Sequence, residues 1–419
     1  MDSLTFLSID FQNGTSIVIQ GQTSLRAINF SYVDDVSYLC DMAELEINSP
    51  YGIVSEGASG NNLVDQIAPL LGTEKVILRF GDDLSSRDGY IEVEMDIFRI
   101  REKPASPQSN LYSLIITMVN SKLSNFITPA KTRSFQGSYS SVADSLATEA
   151  GIPKRIIEPT EGSKKSILQT YWTDAQLLRN MSERSVGSEN RSTPFIYHVR
   201  ENEFHYHSYQ YIYKGDKYKV KDTIYGYTIF GNESYSEQVK KSRFTAIDWI
   251  GTIRNKFFEV LGGGGLSGAG IDHKKGYLLR SQTGLDVFQA GQQLAAKLPI
   301  KTDDIQTTGR FQYTGLRNSD EIEAVIKNLV SFPQENMLEV EILLRGKADR
   351  KSCRVINFME RSGLKNYPES KYSGLYFIKG ATHVFQNGDY YTKLNLVRGG
   401  YNVSKTSTPL ASTTNIKRE

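Results

Sequence analysis

Three of the five histidines, His198, His205 and His207, stand close together in the chain. His205 and His207 are two residues apart in Glu203-Phe-His-Tyr-His207, a period that places both on one face of a strand. Two imidazoles on one face begin a transition-metal site, and His198, across a short hairpin, is the nearest histidine to complete it. Alternate histidines also occur on strands that hold no metal. The sequence offers no fuller ligand set, so no metal is expected.

Acidic pairs are the next candidates: Asp34-Asp35, Asp82-Asp83 and Asp303-Asp304. Glycoside hydrolysis needs two carboxylates set across a cleft, one with a raised pKa, and adjacent acids in polar contexts such as Gly81-Asp-Asp83 read more simply as turn residues. No nucleophile elbow accompanies them. The run Gly262-Gly-Gly-Gly265, continued by Leu266-Ser-Gly-Ala-Gly270, lacks the Gly-Lys-Ser/Thr of a phosphate loop and reads as a flexible loop. Cys40 and Cys353 are the only cysteines and are expected as free buried thiols. No catalytic residue and no cofactor are expected, and the chain does not read as an enzyme.

A different pattern carries more. Ala43-Glu-Leu-Glu-Ile47, Ile91-Glu-Val-Glu-Met95 and Leu338-Glu-Val-Glu-Ile342 each alternate apolar and acidic residues, the signature of a half-buried strand. Two lie in a first β-rich region and one in a second, a repeat of pattern compatible with two copies of one barrel. Glu44, Glu46, Glu92, Glu94, Glu339 and Glu341 should therefore share the wet faces of their sheets. At 419 residues, with a net charge of +2, the chain should form two or three domains and gives no sign of a strong polyanion partner. The N-terminus lacks a signal-peptide pattern, and no apolar run reaches the ~20 residues that span a bilayer.

The elements that must position these residues fall into four stretches. Residues 1–125 read as short strands and turns, a small antiparallel barrel. Residues 126–240 read as α+β. A helix opens near Ser141-Val-Ala-Asp144 and closes at Gly151, and a second opens at Thr173-Asp-Ala-Gln176 with Leu177, Leu178 and Met181 on one face. Strands follow at 195–199 and 203–207, and Tyr209-Gln-Tyr-Ile-Tyr213 alternates like a further strand. Residues 241–402 read as a second barrel with helical insertions at 287–298 and 319–329, a strand at 337–344, and a closing hairpin turning at Gln386-Asn-Gly-Asp389. Residues 403–419 form a Ser/Thr-rich tail expected to be flexible. The fold class expected is α+β, mostly β, with two similar antiparallel β-barrel domains separated by a smaller α+β domain.

Two stretches carry a family resemblance. The hairpin Ser373–Arg398, with His383-Val-Phe385 before the turn and Tyr391-Thr-Lys-Leu-Asn-Leu-Val-Arg398 after it, resembles the closing hairpin of phage baseplate central hub proteins. It is similar as well to that of the N-terminal half of type VI secretion spike proteins. The helix of Tyr171-Trp-Thr-Asp-Ala-Gln-Leu-Leu-Arg-Asn-Met-Ser-Glu-Arg184, followed by Phe195–Tyr206, resembles the helix and strand pair of the same proteins.

The resemblance implies a homotrimer whose subunits each contribute two similar barrels to a six-fold ring. That ring would join a hexameric tail tube to a trimeric spike, with the tape measure protein and the surrounding baseplate proteins as further partners. DNA would pass through its lumen without specific binding, and the six glutamates would line that lumen. The chain would belong to the virion tail, made and assembled in the host cytoplasm, with no membrane partner. The alternative is a β-rich carbohydrate-binding or cell-wall-degrading tail module built on the cluster Tyr206, Tyr209, Tyr211, Tyr213 and Tyr218.

Overall fold

A computed structural model describes residues 6–48, 75–104, 112–161, 165–228, 244–253, 267–281, 311–313, 338–362 and 372–399, with gaps of a few residues inside some of these ranges. The helices expected at 287–298 and 319–329, the glycines at 262–265, Asp303-Asp304, the centre of the closing turn and the tail lie outside the described residues.

The first β region contributes β1 (Phe6–Phe11), β2 (Ser16–Gln20), β3 (Ile28–Asp35), β4 (Met42–Asn48), β5 (Lys75–Gly81), β6 (Tyr90–Pro104) and β7 (Tyr112–Asn120). They pair antiparallel in the order β3-β4-β7-β6-β5-β1-β2. Strict alternation does what it should: Ala43, Leu45, Ile47, Ile91, Val93 and Met95 all face one core. The sheet curls strongly. Phe30 on β3 lies 5.2 Å from Phe80 on β5, centroid to centroid, although three strands separate them in the pairing order. Rings from two distant strands thus fill one interior, each burying well over 100 Å².

The middle segment holds α1 (Leu123–Ile127), β8 (Lys131–Gly137), α2 (Tyr139–Glu149), β9 (Lys154–Ile157), β10 (Lys165–Trp172), α3 (Asp174–Ser182), β11 (Phe195–Arg200), β12 (Glu203–Ser208), α4 (Tyr209–Lys214) and β13 (Lys219–Thr228). Thr173 caps α3 with Gln176 as a reciprocal capping box, as its sequence implies. Leu177, Leu178 and Met181 are fully buried beneath it. The cap of α2 is Ser138, whose side chain accepts from the Ser141 amide, one turn before the expected start. The helix stops where expected, at Gly151 in the left-handed region with φ 70°. Tyr209–Lys214 is a helix and not a strand: Ser208 caps it by accepting from the Tyr211 amide at 3.2 Å. Local capping overrides the alternation of its tyrosines.

The second β region holds β14 (Asp248–Ile253), β15 (Ser267–Asp272), β16 (Tyr277–Ser281), β17 (Phe311–Tyr313), β18 (Leu338–Arg345), β19 (Val355–Ser362), β20 (Gly374–Gln386) and β21 (Asp389–Arg398). The stretch Ser267–Gly270, expected as a flexible loop, is part of β15 and pairs antiparallel with β16. β13, which falls before residue 240, pairs with β19 and so belongs with the second β region. Its Ile224 shares a core with Val340, Phe358, Tyr376, Leu394 and others. Here too the sheet curls: Trp249 on β14 packs 5.5 Å from Phe358 on β19. The Tyr225 amide donates to the Phe244 carbonyl at 2.8 Å and the Ala246 amide to the Tyr225 carbonyl at 2.7 Å, a single bridge between β13 and the lead-in to β14.

The two β regions are not separate sheets. The 13-residue strand β20 pairs with β21 from Phe377 to Gln386. Its first half also pairs with β19, and its second half, Gly380–Phe385, with β3. A bulge between Ile378 and Gly380 marks the change of side, the usual device by which a strand bends between sheets. The result is one continuous 13-stranded sheet with two curled lobes, in which strand pairing leaves neither lobe a closed barrel among the described residues.

Candidate functional site at the junction of the lobes

The closing hairpin carries β20 against β3, so the loop 346–354 between β18 and β19 reaches the first lobe and the middle segment together. Gly346 begins that loop. Its amide donates to the Tyr390 carbonyl at 2.7 Å, and a Cβ at this position would come within 2.1 Å of the Tyr390 ring. Further along, Ser352 meets Asp34 of β3, donating to its carboxylate from the backbone amide at 2.7 Å and from Oγ at 2.6 Å. His198 of β11 reaches the same carboxylate, with Nε2 2.8 Å from Asp34 Oδ1 and Nδ1 2.9 Å from the Tyr38 carbonyl. Both ring nitrogens face acceptors, the arrangement of a charged imidazolium.

Asp34 and His198 are fully buried. Burial favours the neutral acid at Asp34, yet the hydrogen bond and charge of His198, with Arg200 and Ser352, hold the carboxyl well below the usual range. Burial likewise favours neutral His198, and Asp34 outweighs it, so the imidazole is raised. One expected turn acid is therefore half of a buried ion pair joining lobe to middle segment. Its neighbour Asp35 behaves as a turn residue, accepting from the Ser37 amide at 2.7 Å.

Asp41 forms a second knot. It accepts from the Tyr32 hydroxyl, from Asn120 Nδ2 at 2.6 Å and from the Glu201 amide at 2.8 Å. Burial pushes this carboxyl up to about 6 against those three donors. Around it the strand edges meet: the Val199 amide donates to the Leu39 carbonyl at 2.7 Å and the Asp41 amide to the Val199 carbonyl at 3.2 Å. In the hairpin itself, His383 Nε2 donates to the Arg350 carbonyl at 3.1 Å, so Nδ1 accepts from the Tyr390 hydroxyl at 2.7 Å, and burial pulls the imidazole down to about 3.

His205 and His207 share one buried face of β12, as their spacing requires. His198, pledged to Asp34, does not complete their set. Cys353 does: one nitrogen of each imidazole and the Cys353 sulfur lie within 4.8 Å of one another. Sequence reasoning missed this partner because 146 or more residues separate it from the histidines, and only the β18–β19 loop brings it near. Burial raises the Cys353 thiol and lowers both imidazoles, His205 to about 4.

Five of the six glutamates lie on the sheet faces away from the cores, whereas Glu339 pairs across from the buried Val397. Arg79 Nε donates to Glu92 at 2.6 Å, Lys393 to Glu341 at 2.7 Å, Lys75 pairs with Glu94, and Arg101 lies 3.5 Å from Glu44. Glu46 accepts from Asn29 at 3.3 Å, and Glu339 is buried. Glu44, Glu92, Glu94 and Glu341 are rungs of mixed-charge ladders. Asp83 is a turn acid, accepting from the Ser85 amide at 2.8 Å, whereas Asp82 accepts from the Ala348 amide at 3.0 Å, another tie to the 346–354 loop. In the tyrosine cluster, Tyr206, Tyr209 and Tyr218 are buried. Tyr209 packs edge-on against Phe377 at 4.4 Å, and the Tyr213 hydroxyl donates to the Val397 carbonyl at 3.0 Å. No helix among the described residues is long and apolar enough to cross a membrane.

No protein-family model matches the chain, and no curated protein matches it. Solved structures do. A tail protein from Neisseria meningitidis MC58 superposes with a TM-score of 0.55 at 11% identity, over 94% of this chain and 96% of that one. The 43 kDa tail protein of prophage MuSo2 from Shewanella oneidensis gives 0.55 at 9% identity, over 94% and 98%. At such identities the likeness is one of fold, and it extends over nearly the whole of all three chains. The two-lobed sheet, its middle segment and its closing hairpin together are the fold shared with these two tail proteins.

Proposed function

We propose that this chain is a structural virion protein, the trimeric central hub of a phage tail baseplate. It joins a hexameric tail tube to a trimeric spike and encloses a lumen for the genome. The observation that carries the reading is the doubled lobe: two curled halves of one sheet, built on similar strands and joined through β20. Three such subunits supply six similar units, which is what a symmetry match between a six-fold tube and a three-fold spike requires. The fold shared with two tail proteins over nearly full length supports it. So does the edge of β14, where Ile247 and Ile250 are exposed and, among the described residues, only β18 pairs with the strand. An apolar sheet edge of this kind is stable when a neighbour covers it.

In this reading each lobe forms a barrel, with residues 1–125 and 241–402 as the hub units, 126–240 between them and 403–419 as a tail. The tape measure and surrounding baseplate proteins are further partners. Glu44, Glu46, Glu92, Glu94, Glu339 and Glu341 are lumen candidates. The cross-strand cations of Glu44, Glu92, Glu94 and Glu341 make such a wall mixed in charge, which still offers phosphates no net basic patch to bind. The chain has no catalytic role, and it enters the virion from the host cytoplasm. The carbohydrate-binding alternative is less favoured, since Tyr206, Tyr209 and Tyr218 are buried and only the half-buried Tyr211 and Tyr213 remain as a platform.

Electron-microscopic class averages of the purified protein test this reading. Rings with three-fold symmetry, six lobes and a central hole are expected. Particles of monomer size, alone and with the tail tube protein added, would overturn it.

A further inference from the structure

His205, His207 and Cys353 are completely buried side by side, and hydrogen-bond chemistry leaves the two imidazoles in conflict unless something lies between them. His207 Nδ1 is 3.1 Å from the Ser208 carbonyl oxygen. A carbonyl only accepts, so Nδ1 carries the proton and Nε2 keeps a lone pair. His205 Nε2 lies 2.9 Å from Glu203 Oε1. That carboxylate is held ionised by Arg200, whose Nη2 donates to it at 2.8 Å, and by Lys154. The His205–Glu203 contact is too bent for a hydrogen bond, and His205 Nε2 is buried without a hydrogen-bond partner; beside an ionised carboxylate the proton is favoured on Nε2, which leaves Nδ1 its lone pair. The two remaining nitrogens, His205 Nδ1 and His207 Nε2, then face each other at 3.1 Å with no hydrogen between them. A second proton on His205 would place an imidazolium in a fully buried site beside the Arg200 guanidinium.

We propose that His205 Nδ1, His207 Nε2 and the Cys353 thiolate bind a thiophilic transition-metal ion of the zinc class. The outer nitrogen of His207 is bonded to a backbone carbonyl, and that of His205 lies 2.9 Å from a carboxylate. Those are the partners that orient metal-bound histidines and fix their tautomers. The nitrogen–nitrogen separation suits two ligands of one tetrahedral ion, for which Zn–N bonds of about 2.0–2.1 Å imply an edge of roughly 3.3 Å. A backbone observation supports the third ligand independently. Cys353 adopts φ 54°, a left-handed conformation that costs a non-glycine residue on the order of 1 kcal/mol. The surrounding loop is anchored at both ends of this residue's neighbourhood: Ser352 is bonded to Asp34, and the Cys353 amide donates to the Ile378 carbonyl at 3.0 Å. The ion would thus tie the β18–β19 loop of the second lobe to β12 of the middle segment. It would be taken up as the chain folds and would act as a structural pin.

The test uses the full chain. Zinc and copper are quantified per chain in protein purified without chelator, and a second sample is unfolded, stripped and refolded with Co2+ as a spectroscopic stand-in. About one zinc per chain is expected, together with a cobalt spectrum containing a thiolate-to-metal charge-transfer band. Cys353→Ser should fold, lose that band and bind cobalt at least about tenfold more weakly. If that variant fails to fold, the charge-transfer band of the wild-type protein decides alone, because its only other thiol is Cys40. Folded wild-type protein that holds no zinc and gives no cobalt spectrum after refolding overturns the proposal. So does a cobalt spectrum without the thiolate band, or one unchanged in Cys353→Ser; copper in place of zinc overturns the zinc assignment.

Discussion

The carboxylates of this protein live in two settings that make opposite use of the same group. On the outer sheet faces, Glu92, Glu94 and Glu341 meet Arg79, Lys75 and Lys393 across neighbouring strands, half in water. At the junction, Asp34, Asp41 and Glu203 are taken out of water and given between them imidazolium, guanidinium, hydroxyl and amide donors. Water screens the first set, so each pair contributes little. The second set stabilises the fold only as a complete network, and removal of one member leaves its partners buried and charged. The sheet faces tolerate change, while the junction fixes how the two lobes and the middle segment sit together.

The sharpest way to break this contrast is to delete a junction acid. Asp34→Ala should lower stability by about 3–5 kcal/mol in urea unfolding. Loss of less than about 1 kcal/mol, the range of an exposed pair, would place Asp34 among the face acids. Next comes the packing that brings the loop to the junction. Gly346→Ala collides with Tyr390 and should cost about 1–3 kcal/mol as an overpacked contact, accompanied by loss of near-ultraviolet tyrosine ellipticity.

Acidity separates the two junction knots. Asp34 is held low, so its contribution is complete above the ordinary carboxylate range and disappears as the pH falls through its folded value. His198 is raised, so its contribution is complete below the ordinary imidazole range and disappears as the pH rises through its folded value. Asp41, pushed up to about 6, runs the other way: its folded state binds the proton more tightly, so stability from this group falls as the pH rises from the ordinary carboxylate value through about 6. In Asp41→Asn the slope of stability against pH between 4 and 6, the window set by that shift, should become less negative. An unchanged slope would remove Asp41 from the account. The smallest effect belongs to the sheet face, where Glu92→Gln should cost about 0.2–1 kcal/mol and should fade in salt.

Much of the fold was legible in local pattern. The three Glu-x-Glu strands, the capping box at Thr173 and the closing hairpin all stand where period and caps put them, because those signals act over a few residues. What could not be read lies in long-range pairing. Nothing local tells that β20 divides its edge between β19 and β3 and so joins the two lobes in one sheet. The alternation at Tyr209–Tyr213 misled because the Ser208 cap starts a helix there. Asp34 looked like a turn acid and Cys353 like an inert thiol for a common reason: their partners, His198 and the pair on β12, arrive from more than a hundred residues away.

The claim on which the rest depends is that three subunits close into a ring. Sedimentation velocity across a wide concentration range, on the wild-type chain and on Ile250→Glu at the exposed β14 edge, tests it most directly. The account predicts a species of three times 47.1 kDa that grows with wild-type concentration and is lost in Ile250→Glu without loss of monomer stability. A wild-type monomer at every concentration, still monomeric when tail tube protein is added, would contradict it.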